Sequence, residues 1–428
     1  MGITRRTLIA ATTAAAAASG VAAPAAARTS RTRPVIFIHG SAGSAMQFRT
    51  QAKRLASNGY PIGVIEAQEY DSPSIATILP AVWAELDARI ARLLAATGAD
   101  RVDLLAHSLG TFVTQGYLNS SPERAARVAH YVNLDGRTAT ALPGGVETLA
   151  VWGEGDPARA VTGARNVYFP DQSHTQTVSS EESFTEIYRF LTGREPRTTR
   201  VVAQRTAYVS GRVVLFPSNA GVTGARLEAH PVSPLTGHRA GRGLTADIAP
   251  DGSFGPLPLH PHTRYEFALI RPGQSTHHFY FEPFRRSDTF VRLLTSRPGE
   301  GIGALVDTSE RHTALTFQRQ KEWWGAEGDE LYVNGRNILN GANAPRAKRV
   351  IGIFAFDDGS DGVTDLTAPI PEIFAVTFMS GIDVFIPSYR RLSTVSIMVR
   401  GRGDGCTYLP VPNWPSDRHR VSIEVDDH

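Results

Sequence analysis

The chain has 428 residues and one cysteine, Cys406, so no disulfide can form within it and its stability has to come from packed cores. Lysine is almost as scarce. Lys53, Lys321 and Lys348 stand alone among 44 basic residues, and the arginines that make up the rest form no basic run of the kind a nucleic-acid backbone needs. Nucleic acid is therefore excluded as a partner. Long, strongly apolar runs are missing too: the longest uncharged stretch is mostly Ala and Thr, too weak for a membrane span, which needs roughly 20 strongly apolar residues. No transmembrane segment is expected. The acidic stretch "DDGSDGVTD", Asp357 to Asp365, lacks the bidentate acid at the twelfth position of a calcium loop and reads as a hairpin loop. His277 and His278, adjacent in an alternating stretch, face opposite sides of a strand and cannot both ligate one ion. No cofactor is expected.

What the chain does have begins with an address. Residues 1–27, "MGITRRTLIAATTAAAAASGVAAPAAA", carry the pair Arg5 and Arg6, a weakly apolar stretch and a small-residue site ending at Ala27. This is the pattern of a twin-arginine export signal, and it predicts a secreted protein. Removing those two arginines leaves a charge balance near zero, with 41 Asp and Glu against the remaining basic residues.

From about residue 33 to 195, short apolar runs alternate with helical segments, the rhythm of a mostly parallel sheet covered on both faces. "PVIFIHG", "PIGVIEA", "RVDLLAH", "HYVNLD", "ETLAVWG" and "NVYFP" read as strands. Helices are expected at "AMQFRTQAKRLASNG", Ser74 to Gly98, "SLGTFVTQGYLN" and "SFTEIYRFLTG". After about residue 198 the helical patterns stop. Alternating runs such as "SGRVVLF", "RYEFALI" and "RVSIEV", separated by turn signals, predict all-β structure. The expected organisation is an α/β domain over 28–197 followed by β modules over 198–295 and 296–428.

The chemistry concentrates at "AHSLG", residues 106–110. A serine hydroxyl is a weak nucleophile that needs a base and must project from the backbone. A tight strand-to-helix turn provides that projection, and small residues two positions before and after the serine, here Ala106 and Gly110, let neighbouring backbones approach. The same turn puts Ser108 at a helix N-terminus, so the N–H of Leu109 is a candidate oxyanion donor.

"PVIFIHGSAG" followed by "AHSLG" resembles the α/β-hydrolase superfamily, in particular bacterial lipases whose nucleophile pentapeptide begins with Ala. The resemblance covers residues 33 to 193 and implies a serine ester hydrolase that works through an acyl-enzyme. It maps the second oxyanion N–H onto Ser41. His39 and His107 read as structural neighbours. In that family the chain order is nucleophile, acid, histidine. Asp156, in "TLAVWGEGD", looks like the acid position; Glu154 in the same loop and Asp135 in "VNLDG" are its rivals. His174, in the loop of "PDQSHTQ", looks like the base, although Ser173 stands where relatives often have glycine. The acid's task would be to fix the imidazole tautomer and stabilise the imidazolium.

Between "HYVNLD" and "VETLAVWG" only "GRTATALPGG" intervenes, too short for a lid helix, so an open site for soluble short-to-medium acyl esters is expected. The β region resembles the transthyretin-like and carboxypeptidase-regulatory-like sandwiches attached to exported enzymes. It suggests binding of an insoluble substrate or the cell surface, with Trp323 and Trp324 as candidate contacts. Two other functions fit the same sequence. One is a depolymerase of aliphatic polyesters, which needs the same triad plus polymer adsorption; the other is a wall-associated binding protein with an inactive hydrolase domain.

Overall fold

The structure is a computed structural model and describes residues 32–319, 322–388, 393–402 and 405–426. The export signal over residues 1–27 lies outside the described residues. Six strands form one parallel sheet: β1 (Val35–Ile38), β2 (Ile65–Gln68), β3 (Val102–His107), β4 (Val128–Leu134), β5 (Glu147–Trp152) and β6 (Arg165–Tyr168), in the order β2-β1-β3-β4-β5-β6. Alternate residues of these strands supply two cores. Phe37, Leu105, Val132, Leu149 and Val151 pack with α1 (Arg49–Ser57) and the helix Glu181–Thr192 on one face. Ile36, Ile38, Leu104 and Ala106 meet α2 (Ile75–Thr97) and α3 (Leu109–Ser120) on the other. Burial on both faces is why the strands read as nearly unbroken apolar runs. Gly98 closes α2 in the left-handed conformation, as its position after the last apolar repeat predicts.

Beyond residue 206 the described residues are mostly strand. An eight-stranded mixed sheet runs through Leu244–Asp247, Arg226–Val232, Arg264–Ile270, Thr276–Phe281, His419–Val425, Leu315–Arg319, Gly352–Phe356 and Met379–Asp383. The last strand lies parallel to both its neighbours, Thr276–Phe281 and Leu315–Arg319. Residues on either side of position 295 therefore share one sheet. A smaller sheet orders Ser253–Leu259, Ala207–Leu215 and Asp288–Thr295.

The β region is packed into the α/β region. Phe290 joins the core beneath the parallel sheet and meets Phe37 edge-on, with ring centroids 5.9 Å apart, while Met46 enters the core of the β region. Buried charges cross the same junction. Glu69 is held by Arg292 at 2.7 Å and Arg212 at 2.9 Å, and Arg49 bridges Asp288 at 2.5 Å and Asp426 at 2.8 Å. Breaking one partner of such a pair leaves an uncompensated buried charge, so these contacts fix how the two regions meet.

Candidate active site

Ser108 stands where β3 stops and α3 starts, with φ 52° and ψ −120°. That backbone is costly for any residue with a Cβ, and the surroundings hold it there. A Cβ on Gly110 would come within 2.4 Å of the Ile38 carbonyl oxygen, and one on Gly40 within 3.0 Å of both the His107 ring and the Ser108 Cβ. The glycine read from "AHSLG" is thus a steric requirement of the turn. The Thr111 hydroxyl donates to the Ser108 carbonyl at 2.7 Å and accepts from the Arg137 N–H at 2.8 Å, which ties the turn to the loop after β4. The N–H groups of Ser41 and Leu109 meet no acceptor among the hydrogen bonds of the described residues, and both residues lie beside Ser108, Ser41 across the cavity wall and Leu109 next in the chain.

Ser108 and His174 line the same cavity. The His174 Nδ1 lies 2.5 Å from the Asp135 Oδ2. This corrects the expectation for Asp156, which is exposed and accepts from the Ala158 N–H at 2.8 Å, two residues along its own turn. The loop after β5 sends back a guanidinium instead of a carboxylate: Arg159 Nη1 donates to Asp135 Oδ1 at 2.8 Å, and the Gly153 N–H reaches the same oxygen at 2.9 Å. Glu154 turns to Arg346 of the β region, 3.0 Å away. Asp135 is buried, which alone would raise its pKa. The His174 contact, the Gly153 N–H and the Arg159 charge outweigh burial and hold the carboxyl below its usual value.

His107 and His39 are structural neighbours, as their positions predict. The His107 Nε2 lies 2.9 Å from the His174 carbonyl oxygen and its Nδ1 2.8 Å from the Gln47 amide nitrogen. Burial, reinforced by the adjacent His174, pushes the His107 pKa well down, so the ring is neutral and its Nε2–H fixes the backbone of residue 174. His39 is buried too, and its Nε2 accepts from the Tyr70 N–H at 3.1 Å.

Between β4 and β5 lies only a single 3-10 turn, Pro143–Gly145, and no lid helix. The β region nevertheless contributes side chains to the site. The β region roofs it with Phe216, Leu294, Ile302, Ile351, Phe354 and Phe378. The expected surface tryptophans belong to this roof and its support. Trp323, 3% exposed, stacks on His174 at 5.9 Å and on Phe378 at 6.0 Å; Trp324, fully buried, lies in the core of the β region under the Arg319 guanidinium. Neither is available for adsorption to a surface. The roof escaped sequence reading because its residues lie more than a hundred positions after the nucleophile and most of them fall outside the strands; the "EWW" pair was its one visible trace. Among the described residues no three His, Cys, Asp or Glu side chains gather to hold a metal.

Three family models match separate stretches of the chain. Residues 32–122 match the model of class 2 lipases, residues 205–298 match the lipase C-terminal domain, and residues 301–428 match a further C-terminal-domain model. The chain has an α/β-hydrolase fold followed by a β-rich C-terminal region. No curated protein matches it. Among solved structures, lipase B of Aspergillus fumigatus aligns at 13% identity over 39% of this chain and 54% of that one, with a TM-score of 0.31, so this chain spans about half the length of that lipase. The propeptide form of Bacillus licheniformis lipase BlEst2 aligns at 10% identity over 90% of this chain and 93% of that one, TM-score 0.28. A predicted CIB-like hydrolase of Thermoplasma acidophilum aligns at 18% identity over 37% and 86%, TM-score 0.27. No helix among the described residues of the hydrolase is long and apolar enough to cross a membrane.

Proposed function

We propose that the hydrolase cleaves carboxylic esters with a Ser108, His174 and Asp135 triad and an acyl-enzyme intermediate, and that the β region shapes the pocket for the apolar part of a lipid-like substrate. The contact between His174 Nδ1 and Asp135 Oδ2, with His174 and Ser108 on one cavity wall, carries this reading. In it the imidazole takes the Ser108 proton as the hydroxyl attacks the ester carbonyl. Asp135 holds the imidazole with Nδ1 protonated and Nε2 free to accept, and stays ionised while the imidazolium forms. Charge developing on the carbonyl oxygen rests on the N–H groups of Ser41 and Leu109, each worth about a hundredfold or more in rate. The same imidazole then protonates the leaving alcohol, and water, activated in the same way, releases the acid.

The roof of aromatic and aliphatic side chains favours an acyl or alkyl chain over a polar substituent, because burying polar groups there without partners is costly. The chain's export by the twin-arginine route belongs to the same proposal. A chromogenic ester assay tests the reading. The wild type should show a burst and be labelled by an organophosphate, and Ser108→Ala should lose activity by on the order of a millionfold. Unchanged turnover in Ser108→Ala would sink it; neither burst nor labelling in the wild type would point to the binding protein with an inactive hydrolase domain.

A further inference from the structure

The roofed cavity has a neighbour. A second hollow, lined by Arg271, Arg297, Ser416 and Asp417, shares Gly303, Thr316, Phe354 and Arg420 with the wall around Ser108 and His174. Ser108 lines the first hollow, Arg271 lines the second, and Arg420 lines both.

Those two arginines are unlike the arginines at the junction between the regions, where Arg49 and Arg292 each meet a carboxylate. Arg271 is buried, 8% exposed. Its Nη1 donates to the Ser296 carbonyl at 3.0 Å and its Nη2 approaches the Thr295 hydroxyl at 3.5 Å, while its Nε has no acceptor. Arg420 Nη1 donates to the Ser296 hydroxyl at 3.1 Å. Among the described residues neither guanidinium is within salt-bridge distance of a carboxylate. The carboxylate that lines this hollow, Asp417, pairs with Arg418 at 3.3 Å. Burial, and then the charge of Arg271, lowers the pKa of Arg420 to about 10.

The residues around the pair add no further charge and leave it little room to move. His277 lies with its Nδ1 3.1 Å from the Thr295 hydroxyl and its Nε2 2.8 Å from the Ser422 hydroxyl. Burial, then Arg420 and Arg271, hold it neutral. Gly303 packs so closely that a Cβ there would come within 2.5 Å of Arg420 Nη2. Two neighbouring cations, Arg271 buried and Arg420 half-buried, are costly without a counter-charge unless a ligand supplies it. An anion gains the strong, often bidentate hydrogen bonds that a guanidinium offers.

We propose that Arg271 and Arg420 form an anion-recognition site for the substrate, so that the hydrolase takes esters whose apolar portion ends in a phosphate or a carboxylate. The proposal rests on the ester-hydrolase reading for the other end of the cavity, but the site is testable by binding alone. Calorimetric titration of the full chain with octyl phosphate, octanoate, octanol and inorganic phosphate separates the contributions of charge and chain. Octyl phosphate or octanoate should bind at least about tenfold more tightly than octanol, an advantage that shrinks in Arg420→Gln and at high salt; whichever amphiphile binds more tightly names the anion. The proposal is overturned if the anionic amphiphiles bind no better than octanol. It also fails if their advantage survives both Arg420→Gln and Arg271→Lys, or if inorganic phosphate alone binds as tightly as octyl phosphate. Should Arg420→Gln fail to fold, the salt dependence in the wild type decides. A kinetic arm completes the test: the ratio of kcat/KM for a p-nitrophenyl ester with a terminal carboxylate to that for its neutral methyl counterpart should fall in Arg271→Lys. Anion binding that persists in a protein hydrolysing neither ester would refute the catalytic reading and leave the site standing.

Discussion

The α/β region and the β region contribute to one cavity by different means. The first fixes atoms. Ser108 sits at φ 52°, Gly40 and Gly110 have no room for a methyl group, and Asp135, itself at φ 44°, is aimed by three hydrogen-bond donors. The second supplies surface. Phe216, Leu294, Ile302 and Phe354 shape a wall, and only one of its bulky lining residues, Phe378, has a positive φ, 66°. Phe378 stacks on Trp323, which stacks on His174, so the strained aromatic of the roof is two rings from the base. On the proposed reading, reaction chemistry and substrate choice lie on different stretches of chain, and a given variant should disturb mainly one of them.

The sharpest test of this division is at the acid. Asp135→Asn keeps the shape of the site but offers His174 Nδ1 an amide, which can hold the wrong tautomer, and kcat should fall by roughly ten-thousandfold. Asp156→Asn, on an exposed turn, should stay within about twofold of the wild type, since surface substitutions away from special features have small effects. Steady-state kinetics on the two variants checks both. Equal losses would mean that the loop after β5 reaches the histidine in solution and that the contact to Asp135 is not the working one.

The acid also marks where sequence reading stopped. The strands and helices of the α/β region were legible because burial on both faces and glycine caps leave local traces, and the nucleophile turn was legible because its steric demands fall within five residues. The choice between Asp135 and Asp156 was not local. Each follows an apolar strand, and only the return of Arg159 from the second loop to the first shows which carboxylate faces His174. The same holds more strongly for the roof. Alternation along Leu315–Arg319 or Gly352–Phe356 marks a strand but does not say that its face will close over a site formed by residues 41 to 174. Trp323 and Trp324 read as candidate surface contacts because a pair of tryptophans carries no sign of what covers it. The pairing of His419–Val425 with Thr276–Phe281 crosses more than a hundred residues and has no sequence signature.

A second way to break the comparison is to ask whether the regions fold independently. Phe290 belongs by sequence to the β region and by packing to the core beneath the parallel sheet, beside Phe37 and Phe48. Phe290→Ala should cost about 3–5 kcal/mol, the usual loss for a large aromatic in a core that cannot collapse. If the regions are one cooperative unit, tryptophan fluorescence and far-ultraviolet circular dichroism should give a single coincident denaturant transition that moves as a whole. Two transitions, of which only one moves, would mean that the roof can open while the hydrolase stays folded.

The smallest expected effect is a pH dependence at the same junction. Burial alone would raise the pKa of Glu69, but Arg292, the Ala45 N–H and Arg212 bring it down to about 2. The unfolded chain returns it to about 4.3. A carboxyl whose folded pKa is depressed stabilises fully above its unfolded value and loses that stabilisation as pH falls toward the folded one, because the unfolded state then binds a proton that the folded state refuses. Glu69→Gln should therefore lower Tm most at neutral pH, and the gap to the wild type should narrow between about pH 4.5 and pH 2. A gap that stays constant across that range would mean that Glu69 acts by shape alone, and the junction would then owe its hold to Phe290 and its neighbours and little to the buried ion pair.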